Sequence, residues 1–152
     1  MSKCATEIVP NLWIGDDKSY CNKKFLVEAG IKFIINCTKD IPENGCGIEN
    51  IRINVDDKPS ISHAEDNETM YNSLSSCVEY VHQRLGKGQG VLVHCRAGKQ
   101  RSASVVAAYL IKYGEVDVDK AVYYIRTKRP IAFTPMNNFL AALKKYTLLV
   151  SK

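Results

Sequence analysis

A cysteine and an arginine, separated by five residues, are the side chains whose types and spacing most clearly indicate chemistry. Cys95 and Arg101 lie in the run HCRAGKQRS, residues 94–102. Thiolate is the nucleophilic form of cysteine, and the planar fork of a guanidinium can hold two oxygens of a phosphate group. The pair therefore predicts a cysteine nucleophile that acts on phosphate.

The local sequence around this run favours the same chemistry. A short apolar strand, residues 90–93, precedes it, and a helical segment, residues 102–113, follows it. A strand, a glycine-containing loop and a helix start gather backbone N–H groups beside the positive end of a helix dipole. We call residues 95–101 the phosphate loop. Its substrate-binding residues are predicted to be Arg96, Ala97, Gly98, Lys99 and Gln100.

The run HCRAGKQRS resembles the H-C-x-x-G-x-x-R-S/T signature of the cysteine-dependent protein tyrosine phosphatase superfamily. Further segments resemble its small, atypical dual-specificity branch: LWIG at 12–15, GIKFIINCT at 30–38, AYL at 108–110 and RP at 129–130. The resemblance extends from about residue 9 to residue 146. It implies a phosphatase that hydrolyses phosphate monoesters and uses neither a metal nor another cofactor.

The resemblance assigns chemical roles to Cys95, Arg101 and Ser102. Cys95 attacks phosphorus and forms a cysteinyl-phosphate that water later hydrolyses, while Arg101 stabilises the charge on the phosphoryl oxygens. Ser102 resembles the family's hydroxyl, which hydrogen-bonds the cysteine and assists breakdown of the intermediate. A second role for Ser102, as the N-cap of the following helix, is compatible with the first.

An aryl or alkyl oxygen leaves poorly unless it is protonated, so a general acid is required. The segment INVDD, residues 53–57, resembles the family's I-P-x-x-D and implies that Asp57 is this acid. Asp56 is the near alternative, and Asp66 is a third candidate because the segment from Asp57 to Cys95 is longer than usual. The alternative is that Asp56 and Asp57 are solvated turn residues with no catalytic role.

Two further residues are predicted to support the site. His94 faces away from the pocket by strand alternation and is interpreted as a hydrogen-bonding residue that orders the loop, not as an acid or base. Cys37 ends a strand expected beside Cys95. Some lipid-directed members of the superfamily carry a cysteine near this point that traps the oxidised nucleophile, so Cys37 is a candidate redox partner; core packing is the alternative.

Length and composition favour one domain over residues 1–152. The chain is 45% hydrophobic and 24% charged, and it has no apolar run of bilayer-spanning length and no apolar N-terminal segment typical of a secretory signal. Six dispersed cysteines without a C-x-x-C pair argue against a disulfide framework and a zinc site. We expect an intracellular, reducing location, cytoplasmic or nuclear, and no stable membrane insertion.

The order of strands and helices predicts an α/β phosphatase fold. A central, mostly parallel sheet of four to five strands is flanked by helices, and the phosphate loop joins a strand to a helix. Strands are predicted at 8–14 with a break at 10–11, and at 31–37, 51–55 and 90–93. Helices are predicted at 17–29, 70–85, 102–113, 117–128 and 134–149.

The predicted substrates are proteins phosphorylated on tyrosine and on serine or threonine. The net charge is +5, and Arg96, Lys99 and Arg101 would attract anionic groups. Lys99 also resembles the basic loop residue of relatives that act on phosphoinositides or phospholipids, and RNA 5′-phosphate is a further alternative. A phosphate-binding module without turnover and a rhodanese-type sulfur transferase belong to different classes; the five residues between Cys95 and Arg101 favour the phosphatase. The oligomeric state is not predicted.

Overall fold

The computed structural model describes residues 4–43, 45–56 and 64–151. The strands are β1 (Ala5–Val9), β2 (Leu12–Gly15), β3 (Ile31–Asn36), β4 (Glu49–Arg52) and β5 (Gly90–His94). The helices are α1 (Lys23–Glu28), α2 (Ala64–Gly86), α3 (Arg101–Tyr113), α4 (Val118–Lys128) and α5 (Leu140–Val150). The sheet order is β1-β2-β5-β3-β4, with β1 antiparallel to β2 and every other pair parallel. The predicted fold class is confirmed.

The central strand β5 is buried on both faces of the sheet. Because side chains alternate along a strand, Val91 and Val93 join the larger core beneath the helices. Leu92 points to the other face and packs in a smaller cluster with Leu26 of α1. Burial on both faces explains why the sequence of this strand is a continuous apolar run. The buried strand also holds the start of the phosphate loop rigidly in place.

The carboxyl ends of three parallel strands meet at the phosphate loop. Gly15 of β2 and Asn36 of β3 both lie in register with His94. The Cys95 N–H donates to the Gly15 carbonyl at 3.2 Å, and the Cys37 N–H donates to the His94 carbonyl at 2.8 Å. Ligands of open α/β sheets bind at this edge, so the fold places the loop where a substrate can reach it.

The predicted helix at 17–29 is wrong at its start. α1 begins at Lys23, and a separate 3₁₀ turn covers Ser19–Cys21. Asn22 between them has extended backbone angles, and its side chain accepts a hydrogen bond from the Phe25 N–H at 3.1 Å. A side-chain cap of this kind begins a new helix and ends the preceding turn.

The predicted strand at 51–55 is displaced along the chain. β4 ends at Arg52, which lies in register with Asn36, the last residue of β3. Ile53 and Val55 are still buried in the core beyond this end. Their alternation with polar residues therefore reflects burial of two side chains beyond the strand end and not a longer strand, since the Val55 N–H donates to the Ile53 carbonyl at 2.9 Å in a three-residue turn.

The predicted helix at 134–149 begins too early, since α5 starts at Leu140. The carbonyls of Thr134 and Met136 accept hydrogen bonds from the side chain of Gln100 instead of from later N–H groups of their own segment. A contact across 34 residues overrides the local helix signal of Thr134-Pro135.

The starts of α3 and α4 lie close to their predicted positions, whereas the start of α2 does not. α2 begins six residues before the predicted start, α3 begins at Arg101, and α4 has Asp117 as its N-cap, accepting from the Lys120 N–H at 2.8 Å. Across residues 4–43, 45–56 and 64–151, the structure contains no helix with the length and apolar character that crossing a membrane requires.

Candidate active site

The phosphate loop connects β5 to α3 in a tight turn that requires its glycine. Gly98 has a φ of +67°, a backbone region that side chains with a Cβ disfavour. A Cβ at this position would also lie 2.6 Å from the Arg129 guanidinium and 2.9 Å from the Gly15 carbonyl. The loop thus packs closely against the end of β2, and its shape depends on Gly98.

Cys95 and Ser102 contact each other at the base of the loop. The Cys95 Sγ lies 3.2 Å from the Ser102 Oγ; the cysteine is 2% exposed and the serine is fully buried. The residue preceding α3 is Gln100, so the structure does not support Ser102 as the helix N-cap. The hydroxyl is instead placed to donate to a Cys95 thiolate, as the resemblance implies.

The Arg101 guanidinium reaches from the phosphate loop to Val55, which follows the end of β4. Its Nη1 donates to the Val55 carbonyl at 3.2 Å. Its Nε is buried and has no hydrogen-bond partner among the residues that the structure describes. A buried, unsatisfied donor is costly, and a phosphate oxygen in the pocket would satisfy it.

Arg129 is a site residue that the sequence analysis did not assign. It is 3% exposed; its Nε donates to the Gly98 carbonyl at 2.8 Å and its Nη2 to the Ala97 carbonyl at 3.3 Å. Burial lowers the pKa of Arg129. Because a peptide unit is planar, holding these carbonyls on one side directs the N–H groups of the same peptides to the opposite side. The RP pair was the only sequence signal for this role.

The two basic residues of the phosphate loop between Cys95 and Arg101 differ in their partners. Arg96 is exposed and forms ion pairs with Asp40 at 2.9 Å and with Asp17 at 3.8 Å. Lys99 is half-buried, and its side chain has no hydrogen bond or ion pair within the described part of the chain. Ala97 between them is exposed. Of these two charges, that of Lys99 is therefore the one without a carboxylate partner among the described residues.

The side chain of Gln100 is buried and bonded to the segment before α5, and the predicted role of Gln100 in substrate binding, which its backbone N–H could serve, stays a prediction. It is 3% exposed, and its Nε2 lies 2.7 Å from the Met136 carbonyl and 3.2 Å from the Thr134 carbonyl. An amide with two carbonyl acceptors at these distances is held in place. Gln100 therefore connects the phosphate loop to the segment before α5.

The three candidate acids lie in residues 56–66, which we call the acid segment. Asp57, the predicted acid, lies outside the described residues. Asp56 pairs with Lys39 at 3.2 Å. Asp66, in the first turn of α2, is 4% exposed, and its Oδ2 has no hydrogen-bond partner in the described ranges. The assignment of the acid to Asp57 stays a prediction.

Asp57→Asn is expected to lower kcat for a phosphotyrosine peptide by roughly 10²-fold, because the tyrosine oxygen then leaves without a proton. The effect on an aryl phosphate whose phenol is strongly acidic should be small. The alkaline limb of the pH–kcat profile, which reports the acid, should disappear. Rates for both substrates across a pH series test this.

Asp56→Asn is the matched control and should change either rate little, since the Lys39 ion pair is exposed. The opposite ranking would assign the acid to Asp56. Small, equal effects of both substitutions would contradict both assignments and leave Asp66→Asn as the variant to measure.

His94 stacks on an aromatic ring, and its predicted role as a hydrogen-bonding residue that orders the loop stays a prediction. It is fully buried and stacks on Tyr20 with a centroid separation of 4.7 Å and an interplanar angle of 11°. Neither ring nitrogen has a hydrogen-bond partner of standard geometry among the described residues. Burial lowers the pKa of His94 to about 4. The ring is thus neutral at pH 7, which fits a packing role and not proton transfer.

Cys37 lies beside the nucleophile, directly after the neighbouring strand β3. The register that pairs Asn36 with His94 places Cys37 next to Cys95, and both are buried in the larger core. Burial raises the pKa of Cys37, and the nearby Cys95 raises it further. Adjacent parallel strands are about 4.8 Å apart, within the range that a disulfide spans. The redox role of Cys37 stays a prediction.

All six cysteines are free thiols. Cys4 and Cys21 are exposed, whereas Cys37, Cys77 and Cys95 are buried. Burial raises the pKa of Cys77 to about 12. The described ranges contain no group of three or more His, Cys, Asp or Glu residues that could hold a metal ion.

Comparison with known proteins identifies the family. The family model "Dual specificity phosphatase, catalytic domain" matches residues 12–148. Mouse dual specificity phosphatase 28 is 31% identical over 140 residues, which are 91% of this chain and 81% of that protein. Human dual specificity protein phosphatase 16 is 30% identical over 143 residues, but this chain spans only 20% of its length.

The fold comparison agrees with the sequence comparison. The crystal structure of a variant of human DUSP28 superposes with a TM-score of 0.85 and 26% sequence identity, covering 97% of this chain and 96% of that chain. Cys95, Arg101 and Ser102, the residues that carried the resemblance, all lie at the phosphate loop of this fold. The chain belongs to the dual-specificity phosphatase family, and residues 12–148 are its catalytic domain.

Proposed function

We propose that this protein removes phosphate from phosphotyrosine and from phosphoserine or phosphothreonine in proteins, through a cysteinyl-phosphate intermediate. The observation that carries the proposal is the buried contact of 3.2 Å between the Cys95 Sγ and the Ser102 Oγ. It places a thiolate-stabilising hydroxyl and the start of α3 beside the nucleophile, inside a loop of backbone N–H groups.

The first step transfers the phosphoryl group to the enzyme. The Cys95 thiolate attacks phosphorus, an S–P bond forms, and the P–O bond to the substrate oxygen breaks. The acid, assigned to Asp57, gives its proton to that oxygen. The Arg101 Nε and the loop N–H groups stabilise the charge on the three remaining oxygens.

The second step releases phosphate. The carboxylate left by the first step takes a proton from water, whose oxygen attacks phosphorus as the S–P bond breaks. The leaving sulfur receives a hydrogen bond from the Ser102 hydroxyl, which stabilises the thiolate. The enzyme returns to its starting state, and no other reactant is needed.

Turnover of para-nitrophenyl phosphate is the first test of this proposal. A panel at equal concentration follows: phosphotyrosine and phosphothreonine peptides, phosphoinositides in vesicles, and RNA with a 5′-triphosphate. We expect the largest kcat/KM for the peptides, with both amino acids hydrolysed. Phosphate binding without turnover of any substrate would contradict the proposal and support a binding module.

Lys99 supports a second candidate activity, on substrates that carry clustered phosphates. Lys99→Ala is expected to raise KM roughly fivefold for a phosphoinositide or a doubly phosphorylated peptide, the size of effect expected for one partly solvated ion pair. KM for para-nitrophenyl phosphate should not change, because that substrate has no second anionic group. The difference should decrease as salt is raised.

Lys24→Ala is the matched control for Lys99→Ala, because Lys24 is an exposed lysine on α1, away from the phosphate loop. It should leave all KM values unchanged. Equal KM values for Lys99→Ala and the parent enzyme on every substrate would show that Lys99 is a solvated loop residue. The clustered-phosphate candidate would then lose its support.

We also propose a reducing, intracellular location, cytoplasmic or nuclear. The proposed mechanism needs Cys95 as a thiolate, which oxidation would inactivate. The other five cysteines are free thiols as well.

A further inference from the structure

We propose that Gln100 and Asn67 are positioning residues, which together hold the start of α2, where the acid segment ends, in a fixed place relative to the phosphate loop. This inference rests on the proposed phosphatase function. It assigns a task to two buried amides that the chemical steps do not use. Both are linked through one backbone residue, Asn138, which lies between them.

Gln100 forms the first half of this link. Besides donating to the carbonyls of Thr134 and Met136, it accepts a hydrogen bond at its Oε1 from the Asn138 N–H at 3.0 Å. Its own carbonyl accepts from the N–H of Ser104 at 2.9 Å, within α3. Gln100 therefore fixes the segment before α5 directly on the phosphate loop.

Asn67 forms the second half. Its Nδ2 donates to the Asn138 carbonyl at 2.9 Å, and its Oδ1 accepts from the Ala142 N–H at 2.9 Å. Asn67 belongs to the first turn of α2, so these bonds attach the start of α2 to the start of α5. The N–H and the carbonyl of a single residue, Asn138, thus connect the phosphate loop to α2.

These contacts lie on both sides of the acid segment in the sequence. Asn67 directly follows the acid segment, and Val55 directly precedes it. The Val55 carbonyl accepts from Arg101 at 3.2 Å. Two consecutive residues of the phosphate loop, Gln100 and Arg101, therefore hold opposite ends of the segment that contains all three candidate acids.

Such an attachment matters because proton transfer depends on distance. A general acid must come within about 3 Å of the leaving oxygen, and a displacement of about 1 Å can cost roughly 10² in rate. Loss of the link should therefore impair protonation of the leaving group more than attack by Cys95. This difference distinguishes a positioning role from a purely structural one.

The test uses two variants of the intact protein. Gln100→Met keeps the volume of a buried side chain but removes its hydrogen bonds, and Asn67→Ala removes the second half of the link. Gln83→Met and Asn72→Ala, at exposed positions of α2, are the matched controls. For each protein we measure kcat for phenyl phosphate, which needs a protonated leaving group, and for para-nitrophenyl phosphate, which needs it less.

We expect each variant to lower kcat for phenyl phosphate about tenfold more than kcat for para-nitrophenyl phosphate, and the alkaline limb of the pH–kcat profile to shift. The double variant should be no worse than the poorer single variant, because both changes break one link. The exposed controls should show neither effect.

Equal losses on the two substrates, or additive effects in the double variant, would overturn the proposal. Vanadate affinity and the Tm of each variant are measured in parallel. If one variant does not fold, the leaving-group ratio of the other still decides the outcome. Absence of turnover by the parent protein would instead contradict the proposed function, so the two failures are distinguishable.

Discussion

Replacement of Cys95 by serine is expected to lower kcat by on the order of 10⁵ to 10⁶, as removal of a nucleophile does in other enzymes that act through a covalent intermediate. A serine hydroxyl at neutral pH is almost fully protonated, and the site holds no base positioned to activate it among the described residues: the Cys95 Sγ contacts the Ser102 hydroxyl, and the neighbouring His94 stacks on Tyr20. The loop N–H groups and Arg101 remain in Cys95→Ser. Vanadate and phosphate should therefore still bind.

The measurement compares kcat for para-nitrophenyl phosphate with the Kd for vanadate, obtained by calorimetry. Cys21→Ser is the matched control, because Cys21 is an exposed thiol outside the phosphate loop. It should retain full activity. Turnover by Cys95→Ser within about tenfold of the parent rate would contradict the cysteine mechanism.

The strand, loop and helix around Cys95 could be predicted from the sequence because their determinants are local. All five residues of β5 are buried. A strand buried on both faces is recognisable as an apolar run without knowledge of the strands beside it. Gly98 marks a backbone conformation that few other residues adopt. The spacing of Cys95 and Arg101 then follows from the length of the turn.

The starts of α1 and α5 could not be predicted because each depends on one specific hydrogen-bonded contact. Asn22 has low helix propensity but also occurs inside helices, so its capping role is visible only in the structure. The start of α5 depends on Gln100, which lies 36 residues from its acceptor Met136. Helix signals in a short window contain no information on that contact.

The residues that hold the phosphate loop in place could likewise not be predicted from the sequence. Arg129 carries a charge, and charged residues are rarely buried without partners; its burial depends on carbonyls of Ala97 and Gly98 that a pattern of residue types does not display. The stacking of His94 on the ring of Tyr20 was not predicted either, because the two residues are far apart in the sequence. The residues that carry out the reaction could be predicted from their types and spacing, whereas the residues that position them could be identified only from the fold.

Replacement of Arg101 by lysine is expected to lower kcat for para-nitrophenyl phosphate by roughly 10³-fold, which corresponds to about 4 kcal/mol of transition-state stabilisation. Lysine keeps the positive charge but has a single ammonium group, so it cannot donate to Val55 and to two phosphate oxygens from one planar fork. The Arg101 Nε, buried without a partner in the described chain, is lost entirely. KM should change much less than kcat, because the bonds to the equatorial oxygens strengthen mainly in the transition state.

Steady-state kinetics of Arg101→Lys and of Arg126→Lys, an exposed arginine on α4, test this expectation side by side. The control should match the parent enzyme in kcat and KM. Arg101→Lys should also bind vanadate more weakly, since trigonal-bipyramidal vanadate resembles the transition state. A near-normal kcat in Arg101→Lys would mean that the backbone N–H groups of the loop stabilise the transition state without the guanidinium. Arg101 would then act chiefly through Val55, as an anchor of the acid segment.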